Sequence, residues 1–145
     1  MNLFQKYETD AALERDGVEV TIEGAVFQLR RAGGGNRRFA YAFGRAADRY
    51  RATVEEINAP GKSIDDPEHA ERVLDLDERC TQEAFAEAVV TGWRNVDGRD
   101  GAPLEFSQAA FLDLVRSCPD VWAKIRTAAT SVETFRKDGH ALGKF

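Results

Sequence analysis

The sequence predicts an α+β fold, mostly α, in which a small N-terminal antiparallel sheet packs with about four helices. Three observations predict it. Val18, Val20 and Ile22 alternate with Glu19, Thr21 and Glu23, the period of two that marks a half-buried strand. From Asn36 to Phe135, apolar residues recur at steps of three and four in successive blocks, which gathers them on one face of each helix. Between the second and third helical blocks lies Gly92–Ser107, GWRNVDGRDGAPLEFS. Its two Asp-Gly pairs mark tight turns, because Gly accepts positive φ and Asp hydrogen-bonds its own backbone.

Residues 1–16 place Leu3, Phe4, Tyr7 and Leu13 among charges without a clean period. They read as an N-terminal arm with one helical turn, preceding a single globular domain over residues 17–135. The first strand is followed by Gly24-Ala25 as a tight connection and by Val26 to Arg31 as a second strand. A lone hairpin is marginal in water, so it must pack on a helix or pair with a further strand, for which part of the connector is a candidate. Gly33-Gly34-Gly35 breaks the strand, and Asn36 is a good N-cap for a long helix carrying Phe39, Phe43, Ala47, Tyr50, Val54 and Ile57 on one face. Pro60-Gly61 stops it.

Asp66-Pro67 opens the next helix, with Asp as cap and Pro at the first helical position. It runs to Val90 with Val73, Leu76, Cys80, Ala84 and Ala88 in a stripe, and Thr81 is a second potential cap within it. After the connector, Ser107 caps a third helix, with Phe106 and Phe111 placed as a hydrophobic staple. Pro119 ends that helix and begins the last one, where Val121, Ile125, Ala128, Val132 and Phe135 share a face. Residues 136–145, with two glycines and three basic residues, are expected to form a flexible tail.

Composition narrows the function. The 145 residues suffice for a core that needs no disulfide or metal. A net charge of -5 argues against nucleic acid as a partner. Cys80 and Cys118 sit on apolar helical faces and read as buried thiols in a reducing compartment. No apolar run reaches the roughly 20 residues of a membrane span, and no signal peptide opens the chain. The expected setting is the cytoplasm.

Candidate chemistry is sparse. Gly33-Gly34-Gly35 before a helix, with Arg37 and Arg38 behind it, has the ingredients of an anion cradle but lacks a P-loop or dinucleotide spacing; the plainer reading is a strand-to-helix turn. Seven arginines from Arg30 to Arg51 face one acid, Asp48, whereas nine acids from Glu55 to Glu78 face only Lys62 and Arg72. Such blocks pair with each other, steer a charged partner, or form a solvated surface. Asp97 and Asp100 lack the oxygen ladder of a calcium loop. His69 and His140 have no Cys, Ser or Asp partner at a motif spacing, and the two His and two Cys are too dispersed for a metal quartet. Trp93 and Trp122 read as core anchors. The expectation is a non-enzymatic binding domain with no cofactor and no metal.

The order of features adds a family resemblance. A hairpin leads to NRRFAYAF (Asn36 to Phe43); an acidic helix ends in AVVTGW (Ala88 to Trp93); VDGRDGAPLEFS (Val96 to Ser107) and FLDLVRSCPDVW (Phe111 to Trp122) follow. This resembles the tail assembly chaperones of long-tailed, siphovirus-type bacteriophages and prophages, which often show a helix–GW turn, a DGxPxxFS stretch and paired C-terminal helices. The resemblance implies a protein in the bacterial host cytoplasm that binds the tape measure protein and tail tube subunits during tail assembly, without a catalytic site. For such a partner, the expected groove lies between amphipathic helices of this chain, lined by Phe39, Phe43 and Tyr50, with Arg45 and Arg49 on the same helix, or by Phe111 and Trp122. Trp93, Asp97, Gly98, Asp100, Gly101, Pro103 and Phe106 then form a structural corner setting the angle of the last two helices. The alternatives are a head–tail adaptor retained in the virion and an unrelated regulatory binding domain. The hairpin edge also offers a site for self-association.

Overall fold

The computed structural model describes residues 1–57 and 66–136. The stop at Pro60-Gly61, the tail and His140 lie outside the described residues, as do the side chains of Val54 and Ile57.

The period-two segment forms β1 (Val18–Ile22), with Val18, Val20 and Ile22 buried. The turn is Glu23-Gly24 rather than Gly24-Ala25: both residues have positive φ, 51° and 83°. That pair suits a two-residue hairpin whose twist matches its strands. β2 (Ala25–Leu29) pairs antiparallel with β1, Val20 facing Phe27. A third strand, β3 (Val90–Arg94), pairs antiparallel with the far side of β2, Phe27 facing Trp93, in the order β1-β2-β3. The connector does widen the sheet. Its strand starts earlier than the helical reading allows, because the β-branched run Val89-Val90-Thr91 favours extended backbone and β2 offers a free edge.

The N-terminal arm holds two short helices, α1 (Leu3–Tyr7) and α2 (Ala11–Asp16), in place of one turn. Asp10 caps α2 through its side chain, and its N–H donates to Phe135 O at 2.9 Å. The long first helix is divided into α3 (Arg37–Arg49) and α4 (Arg51–Ile57). The break is Tyr50, whose hydroxyl is drawn to Glu83 Oε1 at 3.0 Å. α5 (Pro67–Ala88) runs unbroken, capped by Asp66. Thr81 does not cap: its hydroxyl donates to Asp77 O one turn back, at 2.9 Å.

α6 (Gln108–Ser117) is capped by Ser107, whose Oγ accepts from Ala110 N at 3.0 Å. Cys118 alone separates it from α7 (Pro119–Thr130). The last helix is shorter than its apolar spacing suggests. Ser131 leaves helical geometry and caps a 3₁₀ turn, Val132–Phe135, which still buries Phe135 completely. Helices α5, α6 and α7 close over the apolar sheet face, so that Val20, Phe27, Leu29, Phe85, Phe111, Val115, Trp122 and Ile125 form one core.

Residues 30–36 tie these layers together. Arg30 N donates to Val89 O, Arg31 N to Glu14 O and Ala32 N to Ala129 O, at 2.8, 3.0 and 2.9 Å. Asn36 is 3% exposed. It is no side-chain N-cap for α3; its Nδ2 donates to Arg31 O and to Ala88 O, both at 2.9 Å. The glycine run does receive an anion, and the anion is internal. Glu14 is buried, pairs with Arg31 and accepts from Gly35 N at 3.1 Å. At Gly34, with φ 52°, an added Cβ would meet the Glu14 carboxylate at 2.4 Å.

Asn36→Ala leaves the buried Ala88 carbonyl and the half-buried Arg31 carbonyl without their donor and is expected to lower the unfolding free energy by about 1–3 kcal/mol. Gly34→Ala combines left-handed backbone with the carboxylate clash and is expected to cost a comparable ~1–3 kcal/mol. Urea unfolding followed by circular dichroism reads both.

Candidate functional site

The corner between β3 and α6 is built on Trp93. Its ring meets Phe27 and Phe106 edge-on, with centroids 6.0 and 5.0 Å apart. Its Nε1 donates to Leu104 O at 2.8 Å, so the chain leaving β3 is folded back on the indole. Asp97 and Pro103 form a one-residue bridge, Leu104 N donates to Val96 O at 2.8 Å, and Gly98 N to Ala102 O at 2.8 Å. Asp100 Oδ1 accepts from Ala102 N at 3.0 Å, and Gly101 closes the turn with φ 80°. Arg99 clamps the loop to α6, its guanidinium reaching both Asp113 oxygens at 2.6 and 3.1 Å and Ser117 Oγ at 3.0 Å. The Trp93–Phe106 contact fixes the exit, and Phe106 packs on the same core as Phe111.

The side chains expected to line a partner groove are divided by the fold. Phe111 is 0% exposed and Trp122 4%. Both belong to the protein's own core, because α6 and α7 turn their apolar faces onto the sheet and α5. Phe39 lies edge-on to Phe85 at 5.7 Å and tilts against Phe43 at 6.4 Å. These two rings seal α3 against α5, where Ala42, Ala84 and Ala88 allow close approach. Arg45 pairs with Glu87 at 2.7 Å, Arg49 with Glu83 at 3.5 Å, and Tyr50 shares Glu83. The arginine block is therefore met on α5 by Glu83 and Glu87, acids beyond the predicted acidic block, while within that block Arg72 reaches Glu56 of α4 at 3.6 Å.

A different depression opens between α5, α6 and α7, with a volume of about 510 Å³. Val115, Pro119, Trp122 and Ala123 supply its apolar lining; Asp75, Glu78, Arg79, Gln82, Arg116 and Arg126 supply its polar lining. The indole Nε1 of Trp122 is buried and has no hydrogen-bond partner. Gln82 of α5 is 4% exposed, and its Oε1 accepts from Arg116 Nε at 3.3 Å. The residues of this groove escape a motif search, and Gln82, which lies off the apolar stripe of α5, gives no signal in the sequence.

Burial pushes the Cys80 thiol above its ordinary value, and the nearby carboxylates of Glu83 and Asp77 add to the rise. A thiol so placed is a poor nucleophile. Burial likewise raises the Tyr50 phenol, with the Glu83 contact adding to it. Among the described residues, no three His, Cys, Asp or Glu side chains are grouped to hold a metal ion, and no helix is long and apolar enough to cross a membrane.

With this geometry in place, comparison with known families is decisive at one level. Residues 36–142, well over half of the chain, match the family described as YdaY prophage protein. The chain belongs to that family. The match begins at the buried Asn36 and takes in α3, α5, the corner and the paired helices α6 and α7. No curated protein and no solved structure matches the chain. The prophage setting expected from the resemblance is thus correct.

Two measurements test the corner. Trp93→Ala removes two edge contacts and an indole hydrogen bond and is expected to cost about 2–4 kcal/mol, read by chemical denaturation. The hydrogen bond from Arg99, with its charge, holds Asp113 below the usual carboxylate value. A depressed folded pKa contributes stability above the unfolded value and loses it as pH falls through the folded one. Arg99→Ala should therefore have its full, small effect above the ordinary aspartate range and lose it as pH falls and Asp113 is protonated. Melting temperatures across pH 2–6 check this.

Proposed function

We propose that this prophage protein is a non-catalytic tail assembly chaperone, which binds the tape measure protein and tail tube subunits in the host cytoplasm before the tail polymerises. The observation that carries the reading is the groove between α5, α6 and α7, an apolar floor inside a charged wall on helices of a prophage-family protein. A tape measure protein is a long helical chain with apolar faces, liable to aggregate. One such helix laid in a groove of this kind sets its apolar stripe against the exposed Pro119 and Ala123, above the buried Val115 and Trp122, while its flanking charges meet the arginines and acids of the wall.

Two features support the assignment of the docking surface to this groove rather than to Phe39 and Phe43. Those rings are already spent on the α3–α5 contact, so recruiting them requires the helices to part. The groove walls are preset: Cys118 leaves no slack between α6 and α7, and the Trp93 corner fixes where α6 begins. A preformed groove binds without an ordering cost.

Ala123 is exposed and its substitution leaves the core intact. Co-expression of Ala123→Glu and Arg126→Glu chains with the tape measure protein of the same prophage is expected to reduce recovery of soluble complex roughly tenfold, with circular dichroism unchanged. Undiminished recovery from folded variants would exclude this groove. Mass spectrometry of purified particles separates the chaperone from a virion adaptor: the chaperone is expected to be absent from them.

A further inference from the structure

Outside residues 1–7, the exposed large apolar side chains among the described residues are Tyr41 and Leu74, each 69% exposed, and Val73 at 40%. The two largest stand in opposite electrostatic surroundings. On α3, Tyr41 has Arg37 and Arg38 one turn before it and Arg45 one turn after, the last over its ring at 5.7 Å. Arg37 and Arg38 are exposed and have no acidic partner among the described residues. On α5, Leu74 has Glu71 one turn before it and Asp77 and Glu78 one turn after. Glu71 and Asp77 are exposed and form no ion pair among the described residues. The same chain thus carries an aromatic ringed by cations and a leucine ringed by anions.

Neither patch meets its complement among the described residues. Arg45–Glu87, Arg49–Glu83 and Arg72–Glu56 show α3 and α4 running antiparallel to α5. Tyr41 therefore lies near the Glu87 end of α5, whereas Leu74 lies roughly 20 Å away along that helix at about 1.5 Å per residue. An isologous dimer requires that a patch contacted on one copy be contacted reciprocally on the other. Two complementary patches at opposite ends of one helix pair meet that requirement, because two copies placed antiparallel bring each Tyr41 end to the partner's Leu74 end.

We propose that the occupant of both patches is a second copy of this chain, in a two-fold dimer whose contact joins Tyr41, Arg37 and Arg38 of each copy to the leucine-centred acidic patch of the other. Apolar contact of the exposed ring and leucine supplies attraction at each centre, and the surrounding charges set orientation and make the dimer salt-sensitive. Glu78 borders both this patch and the α5–α6–α7 groove, whereas Arg37, Arg38, Tyr41, Glu71, Leu74 and Asp77 do not line the groove, so variants at those positions test the dimer independently of it.

Sedimentation equilibrium of the purified full chain tests the proposal. The wild type is expected to dimerise with concentration, and more weakly in about 1 M than in about 0.1 M salt. Arg37→Glu with Arg38→Glu, and separately Glu71→Lys with Asp77→Lys, should each weaken self-association roughly tenfold or more. An equal mixture of the two double variants should dimerise again, because in the mixed pair one contact is wild-type and the other is charge-reversed on both sides. Circular dichroism confirms that each variant is folded. A monomeric wild type, undiminished dimers in both variants, a mixture that stays monomeric, or assemblies that grow beyond the dimer would each overturn it.

Discussion

Everything in this fold passes through the short segment from Arg30 to Asn36, and above all through the buried amide of Asn36. A helix ends with carbonyls that lack intrahelical partners, and one left buried and unpaired costs about 1–3 kcal/mol. α5 ends inside the protein, at Ala88, and Asn36 Nδ2 supplies the donor there while its second hydrogen holds Arg31 O. The same segment takes Val89 O, Glu14 O and Ala129 O by its backbone N–H groups. One loop thereby registers the sheet against α5, against the N-terminal helices and against α7. Glu14 completes the arrangement by a pair with Arg31 and a bond from Gly35 N. Without this tie the three strands would lack a fixed position relative to the helix that covers them.

Much of the fold was legible in the sequence because local signals and tertiary demands agree. Val18, Val20 and Ile22 alternate and are buried; Asp66 and Ser107 occur where caps are needed and do cap. The failures fall where one residue type serves two purposes. Asn36 has the chemistry of an N-cap and equally of a bridging amide, and only the position of Ala88, 52 residues away, selects the second. Val90 follows a helix and looks like its continuation, but β2 had an edge to offer. Tyr50 continues the apolar spacing of α3, yet its hydroxyl is held by Glu83 and the helix breaks there. The glycine run reads as a strand-to-helix turn and is one, but the carboxylate it also receives comes from an N-terminal arm that shows no periodicity at all.

The candidate partner residues were less legible, for a physical reason. An apolar stripe says that a helix face is covered; it does not say whether the cover belongs to the same chain. Phe111 and Trp122 turned out to be covered by β-sheet and α5, and Phe39 and Phe43 by α5 alone. What distinguishes a surface from a core is the third dimension, here the angle between α5 and the α6–α7 pair. That angle is set at a distance by the Trp93 corner, where the indole holds Leu104 O and Arg99 grips Asp113. Through that angle the corner leaves Val115 and Trp122 beneath a groove.

The charge pattern carries the same lesson at the surface. Seven arginines followed by nine acids suggest wholesale pairing of neighbouring helices, but an antiparallel pair matches only residues that come level with each other. Arg45 and Arg49 come level with Glu87 and Glu83 and are neutralised. Exposed pairs of this kind contribute little stability, about 0–1 kcal/mol, so their main effect is to fix the register of α3 on α5. Arg37 and Arg38 lie nearer the N-terminal end of α3, while Glu71 and Asp77 lie near the start of α5, out of reach of one another. Internal pairing thus consumes charge in the middle of the helix pair and leaves opposite charge at its two ends, each beside an exposed apolar side chain. A single chain cannot bring those ends together; only a contact between molecules can.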